Sequence, residues 1–386
     1  MMEPTVRFPE FKGSWNNYKI EDMFDRVGTP VDLDDTQAYR EIGIRSHGKG
    51  IFHKEETTAI EIGNKRVFWV EPDCFVVNIV FAWERAVAKT TEKENGMIAS
   101  HRFPMYKPKK DVVDLDYITE YFITKRGQNV LILASPGGAG RNKTLGQKEF
   151  AKSVVKLPSL PEQQKIAEFL PTIDTVIEKQ KETVSAWEER KKGVMQKLFS
   201  QEVRFKADDG SDFPEWEEKK LGECCDILDS KRKPISKENR VLGKYAYYGS
   251  TNIQDYINEY LFDEPLVLLA EDAGPFDDFW NKAIAQFATG KFWVNNHAHV
   301  LRPHENRKYF FYSLEHRDIR VYINNPSRGK LNQEDMVKIP MYIPCLAEQQ
   351  KIADCLSSLD EVIEKQKATL SAWEELKKGL LQQMFV

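Results

Sequence analysis

The run VLILASPGGAGRNKT, Val130 to Thr144, is the first stretch whose residue types could do chemistry. It reads as a strand entering a glycine-rich loop that ends Lys143-Thr144, the outline of a phosphate-cradling loop. Such a loop needs glycine just before the lysine, so that backbone amides can close on the phosphates, and Asn142 stands there instead. The matching loop of the C-terminal half, NNPSRGKL, has no nucleotide-binding spacing. Both are better read as basic loops touching a nucleic-acid backbone, through Arg141 and Lys143 in one and Arg328 and Lys330 in the other. His297 and His299 alternate on the strand-like WVNNHAHVL and would face one side as a metal pair, with a third ligand needed from His304 or a distant carboxylate. A structural, hydrogen-bonding role is the commoner use of such a pair. Asp277 and Asp278 sit in a Gly-Pro-Phe-Asp-Asp turn and read as loop solvation, not as paired acid and base. No CxxC, NPPY-like, GxSxG or HExxH motif occurs, so catalysis and metal binding find no coherent support.

Binding residues are better represented. Basic clusters hold Arg45, His47, Lys49 and Lys54; Arg102, Lys107, Lys109 and Lys110; and Lys231, Arg232 and Lys233. Taken singly, each is also what a solvated face looks like. The interleaved YAYYGSTNIQ and NNHAH, including Asn296, offer the donors and acceptors that reading base edges requires. Net charge points the other way: 56 basic and 60 acidic residues give −4, with no basic excess to announce a nucleic-acid binder. Segment 1–156 carries 24 basic and 22 acidic residues, and 201–342 carries 20 and 24.

The elements that must position these residues follow from a repeat. Residues 157–200 and 343–386 align without a gap at an offset of 186, with 27 of 44 positions identical. A weaker echo pairs FKGSWNNYKI with FPEWEEKKL, matching Trp15 to Trp216. The chain is thus two copies of one plan: variable segments 1–156 and 201–342, each followed by a shared segment. VFWVEPDCFVVNIVF, NVLILAS, PLVLLAE and KFWVNNHAHVLR are strand-like, and short helices are expected at Tyr117–Thr124 and Tyr309–Glu315. Each variable segment suffices for one α+β domain. The 386 residues, 41% hydrophobic with mean hydropathy −0.55, fit a soluble chain of two to three domains. No apolar run reaches membrane-spanning length and no secretory signal is visible, while five cysteines without pairing fit a reducing cytoplasm.

The shared segments read as helices. Ile166, Leu170, Ile173, Ile177, Val184, Trp187, Val194 and Leu198 fall at the 4-3 spacing of a coiled-coil seam. Ile352, Leu356, Leu359, Ile363, Leu370, Trp373, Leu380 and Met384 occupy the same slots in the second copy. Gln180 with Gln366, and Lys191 with Lys377, fill the remaining seam positions; matched polar residues specify register and suggest that the two helices pair. Two amphipathic helices packed on separate cores are the plainer alternative. Pro171 is expected to kink the first helix or to start a new one at Thr172, leaving a rod of roughly 42 Å at about 1.5 Å per residue.

The doubled LPEQQKIAEFL and LAEQQKIADCL, running into helices that end KKGVMQKLF and KKGLLQQMF, resemble the specificity (S) subunit of type I restriction–modification systems. VRFPEFKGSW, FPEWEEKKLGE, YYGSTN and FWVNNHAHVLR also look like its target-recognition domains. The resemblance covers nearly the whole chain, departing where Ala347 replaces Pro161 and where Pro171 interrupts the helix. It implies an α+β protein with two target-recognition domains in pseudo-two-fold arrangement, separated by an antiparallel pair of long helices. Each domain would read half of a bipartite site in double-stranded DNA; a rod of that length spans about twelve base pairs at about 3.4 Å each, close to one helical turn, so both domains could meet the same face of the duplex. It further implies a non-catalytic chain, holding no cofactor, that carries two methyltransferase (M) subunits and, through them, restriction (R) subunits. S-adenosylmethionine, ATP and Mg would belong to those partners, and no membrane is involved. A self-contained DNA methyltransferase or nuclease with fused recognition domains is the rival reading; a coiled-coil structural protein without DNA specificity is a third.

Overall fold

The computed structural model describes residues 4–137, 143–324 and 329–385. The chain divides into two compact units, residues 1–181 with 368–386, and residues 182–367. Both divisions fall inside long helices, Leu160–Phe199 and Leu346–Gln383. Each unit therefore holds one variable segment and one end of each helix.

In the first unit, strand Asn16–Lys19 pairs antiparallel with Val154–Leu157, which ties the two ends of the variable segment together. A four-stranded sheet follows the order Phe24–Val27, Met105–Pro108, Phe75–Val77, Val87–Lys89. A five-stranded sheet contains a parallel pairing of Ala38–Ile44 with Ile98–Ser100. The second unit repeats this plan in unrelated sequence. Glu217–Lys220 pairs with Pro340–Ile343. A four-stranded sheet runs Cys225–Ile227, Ala298–Pro303, Leu266–Ala270, Ala285–Ala288. A second sheet contains the parallel pairing of Leu242–Tyr248 with Lys291–Val294.

The uninterrupted apolar runs have a geometric cause. Successive residues of a strand face opposite sides. Val267 and Leu269 enter one core and Leu266 and Leu268 another. Phe75 and Val77 likewise enter one core of the first unit, and Cys74 and Val76 a second. A strand between two cores has no solvent face, so it cannot show alternation.

NVLILAS is helical, not a strand: Lys125–Leu133 forms a helix capped by Thr124, whose Oγ1 accepts from the Gly127 amide at 3.2 Å. The short apolar run conceals a helical face, with Gly127 and Leu131 buried and Leu133 83% exposed. Gly127 lets this helix approach the preceding one, since a Cβ there would meet the Tyr121 carbonyl oxygen.

The first long helix continues through Pro171 instead of restarting at Thr172. The whole helix of forty residues, at about 1.5 Å each, is roughly 60 Å long, and the roughly 42 Å expected from Thr172 to Phe199 is its larger part. Proline forfeits one backbone bond, at a cost of about 3 kcal/mol. Burial of Leu170 and Ile173 on either side offsets it, and the Thr175 hydroxyl donates to the Pro171 carbonyl at 3.0 Å. Every seam position is buried or half-buried, including Ile173, Ile177 and Val184 in one helix and Ile363 in the other; Trp187, Leu359, Leu370 and Trp373 are half-buried.

The two seam lysines make matched ion pairs. In the second unit Lys191 Nζ lies 2.8 Å from Asp360 and 2.8 Å from Glu315, and Lys367 lies 3.0 Å from Glu188. These pairs run the two helix segments antiparallel within that unit. In the first unit Lys377 bonds Asp174. Adding the repeat offset to Asp174 and Lys191 gives Asp360 and Lys377, so one lysine–aspartate pair occurs twice with the helices exchanged.

The shared EQQ triplets are anchors. Glu162 and Glu348 have no exposed side-chain surface. Arg7 grips Glu162 with two bonds of 2.6 and 2.7 Å, and Arg204 grips Glu348 at 3.1 and 2.8 Å. The next residue, Gln163 or Gln349, accepts from the backbone amide of Asp114 or Asn306, the N-cap of the following helix.

Candidate nucleic-acid interface

In the second unit the polar loops converge at one end of the four-stranded sheet. Asp229 and Lys231 lie on a short turn after strand Cys225–Ile227, and Glu271 and Asp272 follow strand Leu266–Ala270. Asn295–His297 precede strand Ala298–Pro303, and Lys330 lies on a two-residue strand. Leu331 donates its amide to the Glu271 carbonyl at 2.7 Å, fixing the Lys330 segment to the end of the central strand.

Arg232, expected as a DNA contact, is turned into this junction. Its Nη1 donates to Glu271 at 2.5 Å and to the Ala298 carbonyl at 2.8 Å, and its Nε to the Asp229 carbonyl at 3.2 Å. The side chain is only 14% exposed, so its donors hold loops together. Lys231 and Asn296 are exposed; Lys330 is exposed with its Nζ 3.5 Å from Glu271.

The histidine pair separates. Buried His299 places Nδ1 2.6 Å from Asp229 and Nε2 2.9 Å from the Leu331 carbonyl. His297 pairs with Asp272 at 2.6 Å, and His304 with Asp226 at 3.1 Å. Asp229, Glu271 and His299 do bring ligand-type atoms within 4.8 Å of one another, but the Arg232 guanidinium already pairs with both carboxylates, at 3.3 and 2.5 Å, and the His299 nitrogens are already engaged. Asp278 accepts from Asn281 at 2.9 Å and pairs with Lys282 at 3.0 Å, contacts that hold its carboxyl below the usual range and keep it in its turn.

In the first unit Arg45 and Lys49 lie exposed on the tip joining strands Ala38–Ile44 and Ile51–Thr58. The tip is docked: His47 and Gly48 donate to the carbonyls of Glu84 and Arg85 at 2.7 and 2.9 Å. Arg45 stacks over Phe52 at 4.7 Å. Exposed Arg102 gives its carbonyl to the Ile79 amide, while the Ile79 carbonyl accepts from Leu145. Arg102 and the Lys143 segment therefore meet at Ile79, as the Lys330 segment meets Glu271 in the other unit. Arg141 and Arg328 lie outside the described residues. The phosphate-loop outline also loses its context, because Gly137 follows a helix and not a strand.

Sequence reasoning missed the anchoring arginines. Val6-Arg7-Phe8 recurs as Val203-Arg204-Phe205, a three-residue signal at an offset of 197 that differs from the helical repeat.

Two duplicated anchors, a duplicated seam and unlike polar loops define a protein that presents two different surfaces from one repeated frame. The family model for the type I restriction modification DNA specificity domain matches residues 13–185 and again 214–372, and the chain belongs to that family. S.HindORF215P of Haemophilus influenzae, named as a type I restriction enzyme specificity subunit, is 37% identical over 147 residues, covering 38% of this chain and 37% of that protein. The MjaVIII specificity subunit of Methanocaldococcus jannaschii is 22% identical over 83% of this chain and 80% of its own length. Among solved structures, the S subunit from M. genitalium gives a TM-score of 0.56 at 15% identity over 100% of this chain and 99% of that one. HsdS from Thermoanaerobacter tengcongensis gives 0.54 at 17% identity over 97% of each. These likenesses establish the shared fold. No helix among the described residues is long and apolar enough to cross a membrane.

Proposed function

We propose that this chain is the DNA sequence-specificity subunit of a type I restriction–modification complex, that each unit reads one half of a bipartite duplex site, and that the two helices set the spacer between the halves. The observation that carries this reading is the lysine–aspartate pair occurring twice with helices exchanged, beside polar loops that are not repeated. Repetition of the frame supports two equivalent engagements of one duplex, and divergence of the loops supports two different half-sites. Exposed Arg45, Lys49, Arg102, Lys231 and Lys330 would meet phosphates, while amide and imidazole groups meet base edges.

The chain itself would be non-catalytic and act in the cytoplasm. Two methyltransferase subunits would bind it and carry restriction subunits in turn; S-adenosylmethionine, ATP and Mg would be held by those partners. The test is methyl transfer to duplex DNA with S-adenosylmethionine by the isolated chain, by the methyltransferase subunit alone and by their complex. Sequence-specific transfer by the complex only is expected. Transfer by the isolated chain would favour a self-contained enzyme, and equal modification of all duplexes would favour a scaffold without specificity.

A further inference from the structure

We infer that His297, oriented by Asp272, is a base-reading acceptor of the second unit, taking a hydrogen bond from the exocyclic amine of an adenine or cytosine in the major groove. The inference rests on the chain being a DNA-specificity subunit and adds which residue discriminates and by what chemistry.

Three loops meet around this pair and are cross-linked. Ser250 Oγ donates to the Asp272 carbonyl at 2.6 Å, and Gln286 Nε2 to the Ser250 carbonyl at 3.1 Å. The Glu271 amide donates to the His297 carbonyl at 2.9 Å, and the His297 amide to Asn295 Oδ1 at 2.8 Å. Asn295 Nδ2 in turn reaches Gln254 at 3.2 Å. Beside them half-buried Asp229, Arg232 and Glu271 join buried His299 in a cluster that fixes the strand ends carrying the loops. A side chain on this platform has little conformational freedom left to lose on binding.

The ring is nevertheless open to solvent. The His297 side chain is 44% exposed and that of Asp272 34%, and Nε2 makes no hydrogen bond among the described residues. Nδ1 stands 2.6 Å from a carboxylate oxygen, which can only accept, so Nδ1 carries the proton. In the neutral ring Nε2 then holds a lone pair. Major-groove edges separate into amine donors on adenine and cytosine and keto acceptors on guanine and thymine. A fixed acceptor favours the amines and opposes the keto oxygens. The tautomer, set from outside by Asp272, is what confers the discrimination.

The experiment uses the full chain in complex with its methyltransferase subunit and duplexes randomised around the wild-type site, with methylated sequences read out. His297→Ala is expected to lose about tenfold selectivity at one position of one half-site. Asp272→Asn is expected to relax the same position, because an amide can accept from Nδ1 or donate to it and so frees the tautomer. The other half-site is the internal control and should be unchanged. Unaltered selectivity in both variants would overturn the inference, as would loss spread evenly across the half-site, which is the signature of a prop for loops. A wild-type complex without a bipartite preference would instead refute the functional reading, and this inference with it.

Discussion

Arg7 and Arg204 each set a two-pronged guanidinium on a carboxylate that has no contact with water. Removing one member leaves a buried charge uncompensated, so Arg204→Ala should cost about 3 kcal/mol or more, measured by thermal unfolding. Arg204→Lys should recover only part, because an ammonium cannot match the fork. Arg232→Ala should also lower the melting temperature by exposing the repulsion of Asp229 and Glu271. Lys231→Ala should leave the melting temperature unchanged while weakening DNA binding by the complex and reducing its salt slope by about one. The chain order made these two residues look alike, since three basic residues stand in a row at 231–233; the carboxylate that claims Arg232 comes from 39 positions away and is not legible locally. Lys191 has a pH signature of its own. Burial pulls its pKa down, but Glu315 and Asp360 outweigh burial and the net shift is upward. A raised folded pKa contributes stability that is present at neutral pH and lost as pH rises through it. Unfolding free energy should therefore fall above the ordinary lysine range, and Lys191→Met should flatten that fall.

Elements were legible where one periodicity governed a long stretch. The seam could be read because a helix half-covered by its partner must show its spacing, and 27 identities in 44 positions reinforced it. Central strands such as Leu266–Ala270 were legible as apolar runs, although such a run does not say which element it forms. NVLILAS demonstrates the ambiguity: a helix start upstream at Lys125, set by the Thr124 cap, decides the matter from outside the run. Pro171 shows the converse, a local breaker overridden by packing on both sides. Ser357 is its counterpart in the other copy. Pro171→Ser should restore the missing donor and raise stability by about 1–2 kcal/mol, net of the added freedom of the unfolded chain. A lower melting temperature would mean that the proline ring itself packs usefully.

At the scale of the whole molecule, a net charge of −4 is compatible with DNA reading because the basic residues are local: Arg45 and Lys49 on one docked tip, Arg102 and Lys143 at Ile79, Lys231 and Lys330 at the end of one sheet. Partner subunits would supply further positive surface to the same duplex, so the complex should bind far more tightly than the isolated chain. Inserting four residues after Lys179 adds about 6 Å of helix. It should lengthen the recognised spacer and leave both half-sites as they were. The most direct test of the two-reader account is exchange of residues 1–150 for the corresponding segment of another family member, followed by methylation mapping of DNA modified by the complex. A change confined to one half-site, with the other half-site and the spacer retained, is the expected result. A change in both half-sites, or in neither, would contradict it.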